Sequence, residues 1–155
     1  MSRSSTMSAQ LDVQDLVFAI TSVAAATAAA RAHADLESAA VLSDYYALVA
    51  DAVSSSEGRV VKVLGDGVLI VFPISRAKDA VNALRAVQSS ATKLWLAFDP
   101  RCRVQVKVGA GSLAAGLMGP PGAERFDIYG TALNDLFKAP MGDFVTTPNV
   151  VRLLE

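Results

Sequence analysis

The chain is 155 residues long, 52% hydrophobic and 19% charged, with 14 basic and 15 acidic side chains and a net charge of −1. That is apolar material for one well-packed domain, and it excludes a chain that is mainly disordered. The balanced charge leaves no basic footprint for nucleic acid and no polybasic patch for a membrane surface.

Residues 1–10, MSRSSTMSAQ, are polar and Ser-rich and are expected to be a disordered terminus, with one domain over 11–155. Residues 16–30, LVFAITSVAAATAAA, carry no charge at all. The tract is shorter than the roughly 20 residues of a bilayer span and is diluted by Thr21, Ser22 and Thr27. Acidic Asp12 and Asp15 precede it, which is wrong for a signal peptide. It reads as a buried strand over 13–23 followed by helix-permissive residues 24–34. Leu42, Tyr45, Tyr46, Val49 and Val53 fall at helical spacing, so 36–53 is an amphipathic helix, stopped by Ser54-Ser55-Ser56-Glu57-Gly58 with a glycine C-cap.

Two β-rich runs, 59–64 and 68–72, flank Gly65-Asp66-Gly67 and predict a hairpin. Pro73 and Ser75 open a helix whose apolar stripe runs from Ala77 through Ala80, Val81, Leu84, Val87 and Ala91 to Trp95; Pro100 ends it. Val104, Val106 and Val108 alternate with Arg103, Gln105 and Lys107, a half-buried strand. A glycine-containing bend and a partner strand over 113–118 are expected next. A stiff loop at 119–123, a strand at 125–129, a helix at 131–138 and a last strand at 143–146 complete the chain. The order β-α-α-β-β-α-β-β-α-β predicts an α+β sandwich with helices covering one sheet.

Little hydrolytic chemistry is available. Cys102 is the single cysteine and His33 the single histidine, so no zinc cluster and no intrachain disulfide can form. A lone cysteine agrees with a reducing, cytoplasmic setting. His33 reads as a plain surface histidine, and Arg101, Arg103 and Arg125 as a solvated face. Asp66, at a hairpin tip whose glycines let backbone approach a ligand, is the candidate metal ligand.

The stretch VVKVLGDGVLIVFP, with the Tyr45-Tyr46 helix before it, resembles the catalytic domain of class III adenylate/guanylate cyclases. So does a second block, Ala115-Gly116-Leu117-Met118-Gly119 followed by Phe126-Asp127-Ile128-Tyr129-Gly130-Thr131-Ala132-Leu133-Asn134. The resemblance covers residues 13–147 and implies a ferredoxin-like α/β sandwich and a site shared by two chains in a dimer. It implies Asp66 as the second metal aspartate, Lys62 and Asp127 as the purine-selecting pair that favours adenine, Asn134 as the transition-state asparagine and Lys138 in place of an arginine. The family holds two Mg²⁺ or Mn²⁺ ions, which activate the 3′-hydroxyl and neutralise the departing pyrophosphate.

The chain departs from this pattern where the first metal aspartate should end the first strand. Val17-Phe18-Ala19 runs into Ile20-Thr21-Ser22, so Ile20 or Ser22 stands in its place. The glycine turn that cradles phosphate is replaced by Val23-Ala24-Ala25-Ala26, and the family's last strands are expected to be truncated. The sequence therefore points to a cyclase-homology domain that is non-catalytic or very weakly active. It would act as a homodimer, or as a heterodimer with a complete cyclase domain. The alternative is an active adenylate cyclase making cyclic AMP from ATP.

Overall fold

The computed structural model describes residues 10–155; the expected disordered terminus, apart from Gln10, lies outside them. The chain runs β1 (Asp12–Ala24), α1 (Ala26–Ala32), α2 (Asp35–Ser54), β2 (Arg59–Leu64), β3 (Gly67–Pro73), α3 (Ala77–Phe98), β4 (Arg103–Met118), β5 (Arg125–Tyr129), α4 (Thr131–Lys138), β6 (Phe144–Thr146) and α5 (Pro148–Leu154). The expected order is present, with α5 added. The strands form one sheet in the order β2-β3-β1-β4-β5, antiparallel along that path, while β6 pairs parallel with β4.

The uncharged tract is the middle of this sheet. Val17 and Ala19 face the core beneath α2 and α3, packed with Tyr45, Val49 and Leu84. Leu16 and Phe18 face the other way, against Leu113, Leu133 and Leu136 beneath α4. A strand buried on both faces disfavours a charge that has no polar partner, and each fully buried Leu, Val or Phe contributes roughly 1.5–3 kcal/mol.

Helix α2 buries Val41, Tyr45, Val49 and Val53, one residue per turn. At its end the left-handed residue is Glu57, with φ of 62°, not the expected glycine. Gly58 is needed for space instead. Its N–H returns to the Val53 carbonyl at 2.8 Å, and a Cβ there would lie 2.6 Å from both Phe72 and Val53.

Two expectations fail in β4. The bend before residue 113 does not exist: Gly109 and Gly111 lie inside one continuous 16-residue strand. At Gly109 the missing side chain makes room for a neighbour, since a Cβ would sit 2.7 Å from the Phe18 ring. The two halves of β4 instead serve different partners, Val106–Val108 pairing with β6 and Ala114–Met118 with β5. Nor is its first half only half-buried. Lys107 is 5% exposed, and its ammonium donates to the Phe137 and Ala139 carbonyls at 3.0 and 3.1 Å, closing the C-terminal end of α4. Burial lowers the pKa of this lysine.

Candidate functional site

Lys62 and Asp127 are far apart in sequence and sit on the two ends of the strand path. The structure brings them together: Lys62 Nζ lies 3.2 Å from Asp127 Oδ2. A bulge in β2 makes this possible. Val60 pairs with Ile70 and Lys62 with Leu69, so two steps on β2 match one on β3. Lys62 thereby shares the face of Leu69, which packs in the same cluster as Phe126 and Ile128 of β5. Strand twist carries the two edges toward each other, and a second contact joins them, with the Arg59 guanidinium 4.0 Å from the Phe126 ring centre. Both members of the ion pair remain partly open to solvent, so the pair adds little to stability and stays accessible to a ligand.

Asp66 is placed by the β2–β3 turn, where Gly65 adopts φ of 60° and its carbonyl accepts the Tyr46 hydroxyl. One carboxylate oxygen is occupied: Asp66 Oδ2 accepts the Val23 N–H at 2.8 Å. On β1, Thr21 is buried and hydrogen-bonded to the Tyr45 hydroxyl. Burial, and then the Asp66 carboxylate, push the Tyr45 and Tyr46 phenols up, so both stay neutral. Ile20 pairs opposite Leu69, and its Cδ1 would lie 3.7 Å from a Cβ at Gly67. Ile20, one of the two positions at which the resemblance implies a second carboxylate, thus places an apolar side chain beside the turn. Among the described residues no group of three or more His, Cys, Asp or Glu is arranged to hold a metal ion. The donor set does not fit a two-metal centre.

Asn134 and Lys138 lie one turn apart on α4, whose inward side chains are Leu133 and Leu136. Both are exposed, and neither forms a side-chain hydrogen bond or ion pair with Lys62, Asp127, Asp66 or any other described residue. The geometry therefore joins Lys62 to Asp127 and presents Asn134 and Lys138 on one helix face, while Asp66 stands without a second carboxylate.

His33 is not a plain surface residue. Its ring packs 4.1 Å from Phe98, and Nε2 lies 3.5 Å from Asp99 Oδ2. Asp99 is buried and takes the Arg101 guanidinium at 3.0 and 2.8 Å and the Arg101 backbone N–H at 2.9 Å. The Arg101 side chain, then its N–H, hold the Asp99 carboxyl well below the usual carboxylate range. Arg103 pairs with Asp143 at 3.3 Å, so two of the three arginines read as a solvated face have carboxylate partners. For Arg101 the signal is the Asp-Pro-Arg run at 99–101, where the aspartate accepts from the residue two positions on around a turn.

No family model and no curated protein matches the chain in sequence. Solved structures do match. The fold is that of the class III adenylyl and guanylyl cyclase catalytic domains. The adenylyl cyclase CyaB from P. aeruginosa superposes with a TM-score of 0.83 at 14% identity, covering 94% of this chain and 82% of that one. The guanylyl cyclase Cya2 gives 0.75 at 17% identity, covering 94% and 80%. A bacterial light-regulated adenylyl cyclase gives 0.81 at 15%; this chain covers 46% of its length, so it spans just under half of that protein. A fungal guanylyl cyclase domain from Blastocladiella emersonii, similar at 0.80 and 12% identity over 92% and 85% of the two chains, is described as a non-canonical dimer. No helix among the described residues is long and apolar enough to cross a membrane.

Proposed function

We propose that the chain is a non-catalytic or very weakly active cyclase-homology module, which pairs with a second cyclase domain and binds purine nucleotide weakly through Lys62 and Asp127. The observation that carries this reading is Ile20 beside the Asp66 turn. Cyclisation of a nucleoside triphosphate needs a metal to activate the 3′-hydroxyl and a second to neutralise the leaving pyrophosphate. One half-occupied carboxylate leaves those charges without a holder. Lys62 and Asp127, by contrast, offer a donor and an acceptor side by side, matched to the edge of adenine.

Pairing is supported by the apolar side chains exposed around this edge. Val63, Leu64, Leu117, Tyr129 and Phe137 are 39–68% exposed on β2, β4, β5 and α4. A partner domain with both aspartates would supply the Mg²⁺ or Mn²⁺ site, while this chain contributes Lys62, Asp127, Asn134 and Lys138. The placement in the cytoplasm belongs to the same reading.

The test is a cyclase assay with Mn²⁺-ATP. The purified chain is expected to form no cyclic AMP alone, and to restore activity to a cyclase domain stripped of its own purine-selecting lysine and aspartate. Cyclic AMP formed by the chain alone, and lost in Asp66→Ala, would make it an active adenylyl cyclase and overturn the proposal.

A further inference from the structure

A cavity of about 200 Å³ lies under α1, α2 and α3 and reaches the β2–β3 turn at Gly65 and Asp66. Its walls are largely apolar, with Ala26, Ala30, Leu42 and Phe98 among them. Two of its lining residues carry buried polar atoms with no hydrogen-bond partner, Trp95 Nε1 and Ser38 Oγ. Trp95 is only 3% exposed. An unsatisfied buried donor is rare in folded proteins and costs about 1–3 kcal/mol, so two at one cavity point to an occupant.

We propose that this cavity is a binding site for a small phenol-like molecule, one aromatic ring bearing a hydroxyl. Size sets the ring: an apolar cavity of about 150 Å³ takes benzene. The surroundings favour an aromatic body, because Trp95 already makes edge contacts with Tyr45 at 5.6 Å and Phe98 at 5.8 Å, and a further ring extends that cluster. Chemistry sets the substituent. The indole N–H can only donate, whereas Ser38 Oγ and the Asp66 carboxylate can accept. A hydroxyl does both at once, accepting from Trp95 and donating to Ser38 or Asp66. A few waters could satisfy the same atoms but would leave the apolar walls without contacts.

The site is independent of the cyclase reading, yet it shares Asp66 with the candidate metal position. Its rim carries the His33–Phe98 contact, next to the Asp99–Arg101 pair. An occupant would brace α1 and α3 against the turn.

The chain has a single tryptophan, so an ¹⁵N-labelled sample gives one indole N–H resonance as the reporter. Titration with phenol is expected to move that resonance saturably. Toluene, which fills the ring space without the hydroxyl, is expected to bind about tenfold more weakly, the weight of one buried hydrogen bond. Ala30→Leu, at an exposed position on the rim, should abolish both, and Ser38→Ala should bring phenol toward toluene. Absence of a saturable shift with phenol means a water-filled cavity and overturns the proposal. Equal affinity for phenol and toluene, or undiminished phenol binding in a folded Ala30→Leu protein, overturns it as well.

Discussion

The same sheet carries two candidate regions, and they differ in how their charges are met. At the β2–β5 edge, Lys62 and Asp127 face each other across the twist, exposed and 3.2 Å apart, with few other partners to displace. At the end of β1, the Asp66 carboxylate is tied to the Val23 N–H and Ile20 fills the space beside the turn. The first arrangement leaves a donor and an acceptor open to solvent. The second turns what would be a metal ligand into a clasp between strand and hairpin. On the proposed reading, Ile20 takes as packing a place where the resemblance implies a carboxylate, within an unchanged fold. If the proposed function holds, recognition and metal chemistry separate within one domain because they rest on different strands.

The strongest way to break the contrast is to restore the missing charge. Ile20→Asp places a second carboxylate next to the Asp66 turn. Mn²⁺ affinity, followed by calorimetry, is expected to rise at least tenfold, about 1.4 kcal/mol. An unchanged affinity would show that the bond to Val23, not the missing charge, keeps metal away.

The helix that presents Asn134 and Lys138 depends on a buried cation. Lys107→Met keeps the aliphatic stem but leaves the Phe137 and Ala139 carbonyls without their donor. The expected loss is about 1–3 kcal/mol in urea unfolding. The pH dependence has a definite sign. Burial lowers the folded pKa of Lys107 below its unfolded value, so between the two the unfolded chain binds more protons and stability rises with pH. That rise should vanish in Lys107→Met.

The pattern of residues revealed most of the framework and only part of the site. Alternation and helical spacing located β1, α2, the hairpin and α3, because their burial follows local periodicity. Lys62 and Asp127 were legible as a pair only through family resemblance; their contact needs a bulge and sheet twist that no local pattern encodes. Gly109 was misread as a bend because a glycine that admits a neighbour's ring looks, in sequence, like one that turns the chain. Lys107 was misread because strand alternation cannot show that α4 covers the outer face. The His33–Asp99 contact joins the end of α1 to the end of α3, again a tertiary event.

A smaller effect sharpens the β1 side. Ala25, between β1 and α1, is held at φ of 65°, where a Cβ is strained. Ala25→Gly removes that strain at the cost of some chain entropy, and should stabilise by up to about 1 kcal/mol in thermal unfolding. If it instead destabilises, the turn tolerates its alanines without strain, and the altered loop is not a source of instability.

The smallest effect concerns the edge pair itself. With side-chain exposures of 45% and 32%, Lys62 and Asp127 should couple by only about 0.2–1 kcal/mol in a double-mutant cycle on stability. Nucleotide binding should read the pair differently. Each single alanine substitution leaves the other charge without its counterpart and removes one of the two groups offered to adenine. Weak ATP binding, followed by fluorescence competition, should drop in either variant and no further in the double variant, because a purine edge is recognised by both groups together. Additive losses would mean that the two groups meet the ligand independently, while a loss in Lys62→Ala with none in Asp127→Ala would mean that Lys62 meets phosphate charge alone and the β2–β5 edge is a structural contact. The size of the non-additivity thus measures whether Lys62 and Asp127 read a base together.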